Sequence, residues 1–120
     1  MIEQGRSVLI LEPDDGVRSA LTSMLQNMDW QVWAYADGGH LEEEIELHQP
    51  AILISESLLP DLNADAVLNE ARAHEIPVIF LGHGREVQHA VDLMRQGAAD
   101  FLEKPFPQSR LIEIMDQFVA

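Results

Sequence analysis

The chain contains no cysteine. That excludes a disulfide framework, a thiolate nucleophile and any metal–thiolate centre. Basic residues are scarce: 7 Lys and Arg stand against 21 Asp and Glu, for a net charge of −14. Such a surface repels nucleic acid, where phosphate contacts dominate affinity, and it repels anionic membrane surfaces. No apolar segment approaches the roughly 18–20 residues that span a bilayer. The first ten residues lack the basic start and apolar run of a secretion signal. The expectation is a cytoplasmic protein with no direct nucleic-acid or membrane contact.

What is present is a chain of 120 residues, 47% of them hydrophobic. That length suits one domain over 1–120 with one sizeable core. Short apolar runs alternate with helical stripes. Ser7 to Leu11, Ala51 to Ser55 and Pro77 to Leu81 are continuous apolar runs, as in strands buried on both faces. Trp30 to Tyr35 alternates, with Trp30 opening a strand and Trp33 packing on one face, and Asp100 to Leu102 is a short fifth strand.

Between them lie five helical patterns. Val17, Ala20, Leu21, Met24 and Leu25 form the first stripe, with Asp15 as its N-cap. Leu41, Ile45 and Leu47 face inward from an acidic helix ending at His48. A helix near Asp65 to His74 buries Ala66, Val67, Leu68 and Ala71. Val87, Ala90, Val91 and Met94 line one face of the fourth, and Gly97 sits where a helix C-terminus uses glycine. The last carries Leu111, Ile112, Met115, Phe118 and Val119. Met24, Met94 and Met115 read as core fillers.

Five strands alternating with five helices predict an α/β fold: a doubly wound, flavodoxin-like parallel sheet of order 2-1-3-4-5. Ligands of such sheets sit beyond the carboxyl ends of the strands, near the switch point. That rule gathers Glu12, Glu56, Gly82 and Lys104 around one crevice. A carboxylate at a strand end is a known way to form a covalent phosphoryl intermediate, but Glu56 is one methylene longer than aspartate. The five histidines (His40, His48, His74, His83 and His89) show no helix-spaced pair and have no cysteine partners, so zinc is not expected.

The order of these features resembles the receiver domain of bacterial two-component response regulators. An acidic residue follows strand one, and Glu56 with Leu59-Pro60 behind it follows strand three. Ile76-Pro77-Val78-Ile79-Phe80-Leu81 comes next, then Gly97-Ala98-Ala99-Asp100-Phe101-Leu102-Glu103-Lys104-Pro105-Phe106. Ala90 to Phe106 carries the most specific likeness, to receivers of the FixJ and NtrC-type groups. The resemblance implies a Mg²⁺ held by an acidic pair, a phosphoacceptor aspartate, a Thr or Ser, a lysine and an aromatic switch residue. Carried onto this chain, the acidic pair falls on Glu12 and Pro13, the phosphoacceptor on Glu56, and the Thr/Ser position on Gly82. The lysine is Lys104, before a Pro105 whose peptide bond is usually cis in the family, and the aromatic position is Phe101. A register two residues longer in strand one would put the acidic pair on Asp14 and Asp15, which otherwise cap the helix.

Leaving the aromatic position aside, three of the five site positions, Pro13, Glu56 and Gly82, thus lack the group that phosphoryl chemistry uses. Mg²⁺ binding is expected to be weak or absent, and no cofactor is expected. The expected function is a non-enzymatic, phosphorylation-independent signalling and interaction module, with Glu56 paired to Lys104. The alternatives are a working phosphoacceptor receiver using Glu56 or Asp61, and a receiver fold repurposed to bind a small ligand. The resemblance also implies a partner face made by helix four, strand five and helix five, roughly His89 to Gln96, Glu103, and Pro107 to Gln117. Its implied uses are homodimerisation or docking to an output domain or a histidine kinase, with a DNA-binding transcription regulator as the parent protein.

Overall fold

The structure is a computed structural model and describes residues 6–84 and 87–119. Five strands, β1 (Ser7–Leu11), β2 (Gln31–Tyr35), β3 (Ile52–Glu56), β4 (Val78–Gly82) and β5 (Asp100–Glu103), form one parallel sheet of order β2-β1-β3-β4-β5. The helices are α1 (Asp15–Asn27), α2 (Leu41–His48), α3 (Ala64–Ala73), α4 (Val87–Arg95) and α5 (Gln108–Asp116). Every residue of β1, β3 and β4 is buried, whereas the edge strands β2 and β5 are only partly covered. That matches continuous apolar runs in the centre and an alternating run at one edge.

Side chains along each strand point to opposite faces, so the core divides into two layers. Leu9, Leu11, Leu53, Val78 and Phe80 meet Leu41, Ile45, Val67, Leu68 and Leu93. On the other face, Val8, Ile10, Ile52, Ile54, Ile79 and Leu81 meet Leu21, Leu25, Leu111, Ile114 and Met115. Buried Trp30 precedes β2 and belongs to this second layer, while half-buried Trp33 stacks on His48 with ring centroids 3.8 Å apart.

Several helix faces differ from the sequence expectation. Leu47 is exposed because it lies two residues, about 200° of helix, beyond the buried Ile45. Ala20 is exposed, and Met24 is half-buried. Among the described side chains of α4 the buried one is Leu93, and Val91 and Met94 are exposed; β5 is the sheet edge, so no further strand of the described residues covers the outer flank of the helix. The side chain of Val87 lies outside the described ones. On α5, Ile114 is buried and Phe118, beyond the helix, is exposed.

The helix starts are set by side-chain caps. Asp14, not Asp15, is the N-cap of α1: its carboxylate accepts from the Val17 N–H at 2.9 Å. Asp15 opens the helix and pairs with Arg18 at 2.5 Å. Asn63 caps α3 by accepting from Ala66 N–H at 2.8 Å, so that helix begins at Ala64.

Candidate functional site

The carboxyl ends of β1, β3, β4 and β5 converge on one lysine. Glu12 follows β1, and its N–H donates to Tyr35 O at 2.9 Å, which carries the β1–β2 ladder one residue further. Its side chain is buried, with Oε2 accepting from Asp14 N–H at 3.0 Å and Oε1 receiving the Lys104 ammonium. Glu56 is the last residue of β3 and is also buried. Its Oε2 lies 2.5 Å from Lys104 Nζ. The pair is a charge contact off the hydrogen-bond direction: among the described residues neither Glu56 oxygen has a hydrogen-bond partner.

Lys104 is placed by its backbone. Its N–H donates to Gly82 O at 2.7 Å, extending the β4–β5 ladder past Glu103, and a cis peptide bond joins it to Pro105. Burial alone pushes its ammonium down. The hydrogen bond to Glu12 and the negative charges of Glu56 and Glu12 outweigh that, and its pKa lies above the ordinary lysine value. Two carboxylates share one ammonium, so the ionised cluster keeps one uncompensated negative charge.

Pro13 offers no side-chain oxygen, and Gly82, the last residue of β4, offers no side chain at all. Arg18 fixes the loop between β1 and α1: its guanidinium donates to Glu12 O at 2.8 Å and reaches Asp15. Sequence reasoning gave Arg18 no part in the site. The only signal was its place one turn inside α1, where a long cation can reach back over the loop. The cluster floors a cavity of about 310 Å³, walled by Pro13, Asp14, Val17, Leu58 and His83. Phe101 is not part of it. The ring is half-buried against the layer containing Leu93 and lines a separate groove with Ala90, Val91 and Met94.

Asp61 points elsewhere. Its Oδ1 accepts from Gly38 N–H at 3.0 Å, tying the loop after β3 to the loop after β2. Asp14 lines the cavity while capping α1, and Asp15 is turned outward to Arg18.

A hard divalent ion such as Mg²⁺ needs several oxygen ligands around one point. Here Glu12 Oε1 and Glu56 Oε2 both face the Lys104 ammonium, Glu12 Oε2 holds a backbone N–H, and Pro13 has no side-chain oxygen to give. Among the described residues no three acidic or histidine side chains gather in a metal-holding group. The donors present therefore do not fit that ion. No helix among the described residues is long and apolar enough to cross a membrane.

Sequence and fold comparisons agree with this architecture. The response regulator receiver domain profile matches residues 8–116. The chain is 33% identical over 109 residues to the C4-dicarboxylate transport transcriptional regulatory protein DctD of Pseudomonas aeruginosa, covering 88% of the chain and 23% of that protein. It is 27% identical over 115 residues to the transcriptional regulatory protein FixJ of Bradyrhizobium diazoefficiens, covering 93% of the chain and 56% of that protein. The chain thus spans about half, or less, of the length of these curated relatives. The crystal structure of FixJ-N superposes with a TM-score of 0.82 at 27% identity, covering 98% of both chains. A receiver domain protein from Clostridium thermocellum gives a TM-score of 0.84 at 18% identity, covering 92% of this chain and 91% of that one, and shows the fold alone. Receiver domains are signalling modules that interact with kinases and output domains. With the profile spanning nearly all of the sequence and the sheet order and strand-end crevice in place, the chain belongs to the response regulator receiver domain family.

Proposed function

We propose that this receiver domain signals without accepting a phosphoryl group. Glu56 stands at the phosphoacceptor position and Lys104 at the position of the lysine that would meet a phosphoryl group. Pro13 replaces a metal-binding carboxylate, and Gly82 replaces the hydroxyl. The observation that carries the reading is the clamp on Lys104. Both Glu12 and Glu56 already hold its ammonium, and the Glu56 oxygens are buried. Phosphoryl transfer depends on positioning and on neutralising the transferred oxygens. Here the cation is engaged, the metal donors are missing and the nucleophile is shielded. Asp61 is a poor substitute, because its carboxylate is committed to Gly38 N–H.

Output then runs through protein contacts. The face formed by α4, β5 and α5 is the proposed partner surface, for a second copy, an output domain or a histidine kinase. A groove of about 540 Å³ between α4 and β5, lined by Ala90, Val91, Met94 and Phe101, supports that use. The net charge of −14 supports a cytoplasmic domain that does not itself bind nucleic acid. A role in transcription regulation is inferred from the regulators it resembles, and the domain at 1–120 is read as the receiver part of such a regulator.

Incubation with a small phosphodonor and Mg²⁺, followed by intact mass, tests the reading. No mass gain is expected. A gain of one phosphoryl group on the wild-type chain overturns it. The triple variant Pro13→Asp, Glu56→Asp, Gly82→Thr is expected to acquire Mg²⁺-dependent phosphorylation.

A further inference from the structure

Helix α4 is held unevenly. Among its described side chains Leu93 is the one fully buried, while Val91 and Met94 are exposed. The groove against β5 leaves one flank without apolar packing. The inward stripe of this nine-residue helix is therefore narrow, and its seat must come partly from its end.

That end is closed by another helix. Within the turn, Gly97 N–H donates to Met94 O at 3.1 Å and Ala98 N–H to Leu93 O at 3.0 Å. The carbonyl of Gln96, just past the last helical residue, accepts from Arg72 Nη1 at 2.5 Å, across 24 residues of chain. Arg72 belongs to the last turn of α3, whose Val67, Leu68 and Ala71 are fixed in the core. Its guanidinium packs in contact range of Gly97: a Cβ there would stand 3.4 Å from Nε and 3.5 Å from Cζ. Gly97 has φ +107°, a conformation that favours glycine, so the turn that brings the Gln96 carbonyl to Arg72 is one glycine makes without strain. A cation at the carboxyl end of a helix is further favoured by the helix dipole, and a charged donor strengthens the bond to the carbonyl.

We infer that Arg72 is a positioning residue for the partner face: from the rigid α3 it caps α4 in trans and sets the seat of the helix that walls the α4–β5 groove. The inference rests on the proposed partner surface for its consequence, but its structural part stands apart from it. A change that releases the cap loosens α4 from its carboxyl end while the sheet and the other helices keep their packing.

The test is amide hydrogen exchange, residue by residue, on the wild-type chain, Arg72→Met and Arg72→Lys. The methionine keeps the apolar stem and removes every donor. The expected result is exchange about three- to tenfold faster at the amides closing α4, Gln96 to Ala98, in Arg72→Met, with α1 amides unchanged. Arg72→Lys should recover part of the loss, since the ammonium still donates but lacks the rigid planar fork of donors. Unchanged α4 rates, or an equal acceleration in all helices, overturn the inference, the second because it would mark Arg72 as a contributor to global stability only. Self-association measured for Val91→Glu reports separately on the partner surface, so failure of that reading leaves the exchange result interpretable.

Discussion

Lys104 Nζ stands 2.5 Å from Glu56 Oε2 and at the same time meets Glu12 Oε1, so a single cation serves two buried carboxylates at the carboxyl ends of β3 and β1. Removing it as Lys104→Met leaves both carboxylates without a counter-charge, although Glu12 keeps its hydrogen bond from Asp14 N–H. Breaking a buried pair in this way costs about 3–5 kcal/mol, mostly through the stranded charge. Urea unfolding should show that loss at neutral pH. Glu56→Gln should cost less, because Glu12 then keeps the lysine to itself. A variant Lys104→Met as stable as wild type would mean that the clamp holds nothing together.

The same clamp fixes a pH dependence. The folded-state pKa of Lys104 is raised, so its contribution is complete below the ordinary lysine value, near 10.5, and is lost as pH rises from there through the folded value. The stability difference between wild type and Lys104→Met should therefore be flat from neutral pH to about the ordinary lysine value and shrink above it. Urea midpoints taken across an alkaline series measure this directly.

A second titration can be read optically. The chain has one tyrosine, Tyr35, whose hydroxyl donates to Glu44. That hydrogen bond first, then burial and the negative charge of Glu44, raise the phenol pKa above its ordinary 10.0. Phenolate absorbance should rise with a midpoint above that value, and Glu44→Gln should move the midpoint back toward it. A raised phenol pKa favours the folded state below pH 10, and that benefit fades as the unfolded chain ionises first.

The sheet and the crevice were legible because their signals are local. Val8 to Leu11, Ile52 to Ile54 and Val78 to Leu81 are apolar without interruption, as strands buried on both faces are, and each run is too short for a helix. Once the strand order followed, Glu12, Glu56, Gly82 and Lys104 had to meet, since each closes a neighbouring strand. Arg18 over the Glu12 carbonyl, Asp61 on Gly38 and Arg72 on Gln96 were not legible. Each is a bond from a side chain to backbone in another segment, and no periodicity encodes it. Asp14 and Asp15 could not be told apart as caps, because both are acidic and the choice depends on where the helix begins.

The loop pair after β2 and β3 gives a steric prediction. Beside the Asp61 bond, Gly38 is packed so closely that a Cβ would lie 2.9 Å from Leu62 Cδ2 and 3.2 Å from its Cβ. Gly38→Ala should therefore destabilise by about 1–3 kcal/mol, as overpacking does, unless Leu62 swings aside. Asp61→Ala removes one hydrogen bond and should cost about 1 kcal/mol. The double mutant Gly38→Ala, Leu62→Ala should recover part of the first loss in chemical denaturation, which separates crowding from backbone strain.

The correction on α4 is itself testable. Ala90, Val91 and Met94 share a helical spacing, and that stripe suggested the core face; the structure instead buries Leu93 and exposes Val91 and Met94. The two arrangements predict opposite outcomes for single substitutions. Leu93→Ala should cost about 2–5 kcal/mol, because it empties a fully buried site. Met94→Gln should stay within about 0.5 kcal/mol of wild type, as substitutions at exposed sites usually do. Urea midpoints at matched slope decide between them: a large loss at Met94 with little at Leu93 would return the helix to the face that its spacing suggested.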